Sequence, residues 1–343
     1  MFLHHLIHKI SSSNLSIFYL NESFDSAISY GGISFIQYDL VLYIAFLVLN
    51  YFGICFGFLG NLLTILTIIF NKELNAPSYW IIVNLSIADL LISSLINSFY
   101  TIGVLAGEDF FLNRKPLCTI IGFLCLIFCG SSLLNIALLA LNRYIKICHD
   151  HLYSKIFSKK KTMFLCILPW LGGITLGTPN LSGWGGYDYD KKVLSCITDR
   201  TQSQEFGFFF IFCYVLTPCI CIFVCYLKIF FFVSKYSGKI GCNSHKKQIQ
   251  LAKSLFASFI TYFFCWIPFG FIYIIDHSDM LHPAAMVITT AFAHINSSVN
   301  IIYYAYFSST LRRGYYMFIV SLLPSSFNLV KSFKISHTTH AGS

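Results

Sequence analysis

The stretch from Cys118 to His149 reads CTIIGFLCLIFCGSSLLNIALLALNRYIKICH, an apolar run that closes on Asn142-Arg143-Tyr144. As a helix rising about 1.5 Å per residue, it is long enough to cross a bilayer core of about 30 Å with some tilt. Because a guanidinium group is costly among lipid tails, we expect Arg143 at the helix end, facing a bundle interior or an aqueous cavity. A snorkelling arginine that only marks the interface is the alternative. The stretch predicts a membrane-spanning helix with a cation at one end.

The composition is typical of a membrane protein. Of the 343 residues, 56% are hydrophobic and only 11% are charged, and the mean hydropathy is +0.70. The formal net charge of +9 comes from lysines and arginines in short loops between apolar runs. Nucleic-acid-binding proteins instead gather such charges on one face. We therefore predict a polytopic membrane protein whose charge reflects its topology, with the lipid bilayer and not nucleic acid as a partner.

Seven apolar segments are each long enough to cross a bilayer as a helix. They cover residues 40–70, 78–105, 117–148, 162–179, 206–233, 248–275 and 284–307. The predicted fold class is an all-α integral membrane protein, a seven-transmembrane helix bundle over residues 40–307. Residues 1–39 form a tail before the bundle. Residues 308–343 begin with a basic and then aromatic stretch, typical of an amphipathic helix on a membrane surface.

The distribution of lysine and arginine predicts the orientation of the bundle. The loops after the first, third and fifth segments and the last tail are rich in these residues, whereas the opposite loops carry a balanced mixture of charges. The positive-inside rule then places the amino end outside the cell and the carboxyl end in the cytoplasm. The tail before the bundle contains two acceptor sequons for glycosylation, at Asn14 and Asn21, which would be usable on that outer side.

Two of the 13 cysteines, Cys118 and Cys196, fall in predicted outer positions. One begins the third segment and the other lies in the loop before the fifth. Because the exterior is oxidising, we expect these two to form a disulfide. The other cysteines lie within apolar segments or face a reducing cytoplasm.

Other functional classes leave weak signals in this sequence. The pairs Cys125/Cys129 and Cys221/Cys225 have the i,i+4 spacing of helical metal ligands, but buried cysteine is usually an apolar filler, so no metal site other than one for sodium is predicted. His-Glu-x-x-His and Gly-x-Ser-x-Gly motifs are absent, so an enzyme is not predicted. A transporter is the alternative from another class, although internal repeats are not apparent and Asp89 is essentially the only carboxylate in the core.

Polar residues interrupt the apolar segments in a fixed order. They are Asn61, Asp89, Arg143, Trp170, Pro218, Tyr226, Trp266, Pro268, Asn300 and Tyr304. This ordered set resembles the rhodopsin-like (class A) G-protein-coupled receptors across essentially the whole membrane region. Ile301 stands where that family has the proline of its NPxxY motif. The resemblance implies a plasma-membrane receptor that binds an extracellular ligand and activates a heterotrimeric G protein.

The buried carboxylate of Asp89 is costly unless a cation, polar neighbours or a proton matches it. A neutralised aspartate in a polar packing network is one interpretation. The resemblance favours another, because the positions around Asp89, including Asn61, match the family's sodium-binding site. The predicted sodium site comprises Asp89, Ser132, Trp266, Asn296, Ser297 and Asn300. Beyond sodium as an allosteric modulator, no cofactor is predicted.

The same resemblance implies which residues take part in activation. They are Asn142, Arg143, Tyr144, Tyr226, Pro268 and Tyr304. Pro268 removes a helical hydrogen bond, so the sixth segment can bend there and open a cytoplasmic cleft. Asn142 and Gln248 stand where many relatives have acids that restrain Arg143. Asn142 can then offer only a weaker amide contact, and the restraint from the position of Gln248 is missing, so we expect a loosely held arginine and signalling without ligand.

The sequence is most similar to melatonin receptors and their invertebrate relatives, through Asn142-Arg143-Tyr144 followed by Ile147-Cys148-His149. That lineage suggests an inhibitory G protein. Tyr214 stands where the melatonin site has a histidine, and Thr198 and Arg200 stand where it has Phe and Gln. The identity of the ligand therefore does not follow from this similarity.

Two substitutions narrow the class of ligand. His294 stands where opsins have the Schiff-base lysine, and Cys125 where amine receptors have an aspartate. A mostly aromatic cavity suits a small, neutral or weakly polar molecule, with a short peptide as the alternative. The predicted ligand-binding residues are Cys125, Cys129, Asn180, Thr198, Phe210, Tyr214, Trp266, Phe269, Tyr273 and His294.

Overall fold

The computed structural model describes residues 40–199, 201–236, 243–276 and 281–322, with backbone alone at 40, 42, 43 and 243–245. The predicted tail over residues 1–39 with both sequons, Asn14 and Asn21, lies outside these ranges, as do Arg200 and residues 323–343. Seven helices of the described chain are long and apolar enough to cross a membrane. They are α1 Leu40–Phe70, α2 Pro77–Ala106, α3 Lys115–Cys148, α4 Lys159–Leu181, α5 Gln204–Tyr236, α6 Asn243–Ile275 and α7 Pro283–Phe307. The predicted seven-helix bundle is confirmed.

Three of these helices are locally irregular. α2 contains a π-helical segment at Ile92–Ile96, and α5 contains one at Phe210–Leu216. The segment in α5 directly precedes Pro218, whose ring nitrogen cannot donate to the preceding turn. The Thr217 hydroxyl instead donates to the Phe212 carbonyl at 2.9 Å. α4 has a turn between its two halves, Lys159–Leu165 and Leu168–Leu181, with a proline at the start of the second half.

Helix α3 is central in the bundle and packs against α2, α4, α5 and α6. Asn84 of α2 joins three helices: its Nδ2 donates to Asn135 Oδ1 of α3 at 2.7 Å and to the Cys166 carbonyl of α4 at 2.9 Å. Its Oδ1 accepts from Trp170 Nε1 at 2.9 Å. Asn61 of α1 donates to the Ser297 carbonyl of α7 at 2.9 Å. Since lipid offers no competing donors, such contacts fix helix positions that apolar packing alone leaves free.

A β-hairpin lies over one end of the bundle, formed by antiparallel β1 (Tyr187–Asp190) and β2 (Ser195–Thr198). The predicted disulfide is confirmed, because Cys196 of β2 is bonded to Cys118 of α3. Gly103 of α2 allows the hairpin to come close, since a Cβ there would collide with the Leu194 carbonyl.

Three short helices connect the long ones: Lys72–Leu74, Glu108–Leu112 and Asp150–Ile156. After α7 follows α8, Ser309–Leu322, whose two faces differ. Leu311 and Tyr315 are buried, and the Tyr315 hydroxyl lies 3.0 Å from the Thr64 hydroxyl of α1. Tyr316 and Leu322 face outward. This difference agrees with the predicted amphipathic helix.

Candidate functional site

A cavity lies beneath the hairpin, enclosed by α3, α5, α6 and α7. Nine of the ten predicted ligand-binding residues line it. These nine are Cys125, Cys129, Thr198, Phe210, Tyr214, Trp266, Phe269, Tyr273 and His294. Their convergence follows from the helical period, since residues one turn apart share a face. That they bind a ligand stays a prediction.

Asn180, the tenth predicted residue, does not line the cavity. It lies at the end of α4 and is buried, and its Oδ1 occupies the space that a Cβ at Gly185 would need. In the same region the Tyr187 hydroxyl donates to the Gly177 carbonyl at 2.9 Å, and burial raises the pKa of Tyr187, which keeps this donor protonated. Asn180 thus belongs to the junction of α4 and the loop.

Sequence reasoning missed two wall residues on α7, Thr290 and Ala293. Thr290 precedes His294 by one helical turn, so helical spacing could have identified it. Ala293 carries no such chemical signal. Ile197 of β2 also lines the cavity, and its position depends on the register of the hairpin.

Aromatic rings form the floor of the cavity around Trp266. The Trp266 ring stacks on Tyr262 with centroids 5.6 Å apart and meets Phe269 edge-on at 5.9 Å. Its centroid lies 6.5 Å from that of His294. Trp266 precedes Pro268, the proline within α6. A molecule in the cavity would therefore contact α6 beside the proline, where the helix lacks a backbone hydrogen bond.

Asp89 lies deeper in the bundle and is 0% exposed. Ser132 of α3 donates to its Oδ1 at 2.8 Å, and Asn300 of α7 donates to its Oδ2 at 2.7 Å. The Oδ1 atoms of Asn296 and Asn300 are buried without a hydrogen-bond partner in the described chain. A buried carboxylate and two orphaned amide oxygens one helical turn apart on α7 are donors of the kind that suits a hard monovalent cation. Sodium therefore fits these residues.

Trp266, another predicted member of the sodium site, and Asn61, which matches a neighbouring position, have different contacts. Asn61 donates to the Gly57 and Ser297 carbonyls, so its amide joins α1 to α7. Trp266 belongs to the aromatic floor described above. Ser297 is buried on α7, next to Asn296.

Arg143 lies near the opposite end of α3 and is 0% exposed. Its Nη1 donates to Gln248 Oε1 of α6 at 2.6 Å, its Nε donates to Asn142 Oδ1 at 3.1 Å, and its Nη2 also donates to that oxygen. The expectation that Gln248 removes the restraint from α6 needs correction. Because the amide oxygen can stand where a carboxylate oxygen would, the contact persists without charge.

The tyrosines predicted to act in activation are placed differently from one another. The hydroxyls of Tyr226 and Tyr304 are buried without a hydrogen-bond partner in the described ranges, both in the apolar cluster around Arg143's end of the bundle. The Tyr144 hydroxyl instead lies 2.9 Å from His149 Nε2. α7 runs unbroken past Ile301, whose side chain would collide with a Cβ at Gly60.

A seven-helix bundle with an aromatic cavity under a disulfide-bonded loop and a buried arginine at the other end defines a membrane receptor. Residues 60–304 match the family described as 7 transmembrane receptor (rhodopsin family), and the chain belongs to that family. It is a G-protein-coupled receptor, a multi-pass plasma-membrane protein that binds an extracellular ligand and couples to a heterotrimeric G protein. This membership excludes the transporter and enzyme alternatives.

Individual relatives agree with the family match. The chain is 28% identical to mouse melatonin receptor type 1A over 303 residues, 82% of each protein. It is 27% identical to Xenopus laevis melatonin receptor type 1C over 282 residues, 79% of this chain and 66% of that protein. The crystal structure of squid rhodopsin shares the fold, with a TM-score of 0.68 and 22% identity over 80% of this chain and 84% of that one.

Proposed function

We propose that this receptor binds a small, neutral or weakly polar ligand in the cavity above Trp266. The observation that carries the proposal is that, among the described residues that line the cavity, none is Asp, Glu, Lys or Arg. A charged ligand would have to bury its charge without a counter-ion. Burying even a neutral polar group without a hydrogen bond costs about 2–7 kcal/mol, and an unpaired charge costs more. Aromatic walls with a few hydroxyl, thiol and imidazole groups suit a flat molecule with one or two polar atoms.

Melatonin, which the similar receptors bind by name, belongs to this chemical class. Tyr214 and Thr198 are in the cavity wall of this chain and differ from the pattern of melatonin receptors. We therefore propose the wider class of neutral aromatic molecules, with melatonin as a reference compound. The hairpin residues Ile197 and Thr198 roof the cavity, which disfavours a peptide threaded through it.

The proposed partner is an inhibitory-type G protein, because the chain is similar to melatonin receptors.

The proposed orientation has the amino end outside and the carboxyl end in the cytoplasm. Lysines around α4's start, including Lys159, Lys160 and Lys161, support it through the positive-inside rule. Antibody labelling of an amino-terminal epitope on intact cells tests the orientation, and labelling that requires permeabilised cells would reverse it.

A screen of neutral aromatic compounds in cells that report several G-protein pathways tests the ligand class. The matched variants are Phe210→Ala, in the cavity wall, and Phe212→Ala, on the same helix but 59% exposed on the bundle surface. Losing an aromatic contact worth about 1.4 kcal/mol or more lowers potency about tenfold. We expect this loss for Phe210→Ala only. Activation by cationic amines or peptides alone, or equal potency for both variants, would contradict the proposal.

Sodium is the proposed modulator at Asp89, with Ser132, Asn296 and Asn300 as its neighbours. The orphaned amide oxygens support this proposal. The ion would supply the positive charge that the buried carboxylate lacks in the described structure.

A further inference from the structure

Three soft metal-ligand groups meet in the wall of the cavity. Cys125 and Cys129 lie one turn apart on α3, and His294 faces them from α7. The two sulfurs and an imidazole nitrogen all lie within 4.8 Å of one another. The cysteine spacing alone indicated only apolar filling, and the fold adds the third donor from a distant part of the sequence.

We infer that Cys125, Cys129 and His294 form a zinc site in the wall of the cavity. Thiolate and imidazole are the ligands that Zn²⁺ prefers, and three protein ligands leave a fourth tetrahedral position open. With Zn–S bonds of about 2.3 Å, two sulfurs on one ion lie about 3.8 Å apart. The cluster therefore needs to contract by at most about 1 Å between the two sulfurs and about 1.3 Å between a sulfur and the imidazole nitrogen, which small side-chain rotations supply.

The charge balance favours zinc at this depth. Binding converts two thiols to thiolates and releases two protons, so that Zn²⁺ and two thiolates are together neutral, with His294 a neutral ligand. A neutral cluster avoids the cost of burying net charge in a cavity whose described wall residues are neither acidic nor basic. A redox-inert ion also suits a cavity that opens beneath a disulfide-bonded loop.

The imidazole is held in place by its neighbours. Tyr100 of α2 meets the His294 ring edge-on with centroids 5.3 Å apart, and Trp266 lies on another side. Such support fixes the ring orientation that a ligand needs. All three donors line the cavity, so the fourth position faces it, where water or a donor atom of a cavity molecule completes the coordination.

Zinc binding is tested on the purified full-length receptor without ligand or G protein, so the result is independent of the proposed ligand class. Zinc content after equilibration with a weak chelator should approach one ion per receptor. In Cys125→Ser, Cys129→Ser and His294→Ala the affinity should fall at least about tenfold. The control is the Cys221→Ser/Cys225→Ser double variant, since that pair has the same spacing on α5 but belongs to no three-ligand cluster in the described residues. It should keep full zinc binding.

A second measurement covers the case in which the variants fold poorly. In the unaltered receptor, zinc should protect Cys125 and Cys129 from a small alkylating reagent and leave Cys221 reactive, as read by peptide mass mapping. Co²⁺ in place of zinc should give the absorption of a tetrahedral thiolate site. Zinc that binds equally to the control and cluster variants, alkylation that zinc does not change, or a Cys125–Cys129 disulfide in fresh receptor would overturn the inference.

Discussion

At the residue scale, Arg143 is a buried guanidinium group restrained by neutral amide groups and not by carboxylates. In the structure its guanidinium donates to two amide oxygens, on Asn142 and Gln248. The charged donor already strengthens these bonds, but an amide oxygen carries no full negative charge, so the coulombic attraction that a carboxylate would add is missing. The restraint has the geometry of an ionic one but should hold the arginine less tightly. The sequence could predict the missing charges, but the contact itself depends on how α3 and α6 pack.

We predict that Asn142→Asp and Gln248→Glu each lower GTP exchange in the absence of ligand. If each acid strengthens the inactive contact by about 1 kcal/mol, each shifts the equilibrium about fivefold. Basal exchange at matched surface levels measures the effect. Gln250→Glu is the control, because it adds the same charge on α6 at an exposed residue bonded to Ser309. Unchanged exchange in both variants, or an equal drop in the control, would show that the amide restraint is not weaker.

At the element scale, the long helices could be predicted closely and their irregularities could not. The seventh segment was predicted at 284–307 and is Pro283–Phe307, because hydropathy and length alone determine a span. The fourth was predicted at 162–179 but extends over Lys159–Leu181, since the lysines at its start interrupt the apolar pattern. The π-helical segments at Ile92–Ile96 and Phe210–Leu216 depend on which backbone carbonyl accepts each N–H hydrogen bond and on packing against neighbouring helices. The hairpin was not predicted, because its strands are four residues long and show little alternation of apolar and polar residues.

The hairpin supports a prediction about stability. Cys196 joins β2 to α3, while Gly103 lets the turn pack on α2. Removing such a disulfide costs about 2–5 kcal/mol in small secreted domains. We expect Cys118→Ser/Cys196→Ser to lower both surface level and the thermal midpoint of the purified receptor. Cys55→Ser, an exposed free cysteine of α1, is the control and should leave both unchanged. A double variant as stable as the control would mean that packing alone holds the hairpin.

At the scale of the whole molecule, the order of polar landmarks predicted the fold through its resemblance to the receptor family. Those that carry a charge, Asp89 and Arg143, are costly in lipid and have partners inside the bundle. Asp89 contacts Ser132 and Asn300, as a shared site requires. The pairing of Asn84 with Asn135 and Trp170 could not be predicted. Amide orientations depend on three helices at once, and a single sequence does not define their rotation or depth.

Asp89 of α2 contacts both α3 and α7, so a sodium ion bound to its carboxylate would lie where three helices meet. An ion bound there and contacting all three helices stabilises the arrangement in which they are close together. If sodium binds the inactive conformation more tightly, linkage requires that basal GTP exchange, and agonist affinity with it, fall as sodium rises. Sodium should therefore lower basal exchange relative to potassium at equal ionic strength, and Asp89→Asn should remove the difference.

Ser93→Ala is the matched control for the sodium experiment, because Ser93 is buried on α2 and donates to the Asp89 backbone carbonyl at 2.7 Å without using the carboxylate. This variant should keep the difference between sodium and potassium, since the carboxylate and its neighbours on α3 and α7 are intact. Asp89→Asn keeps the size of the side chain and removes only its charge, so a folding defect is not the expected cause of its behaviour. If sodium still lowers exchange in Asp89→Asn, the ion acts elsewhere, and the carboxylate is then matched by its hydrogen bonds to Ser132 and Asn300 or by a proton.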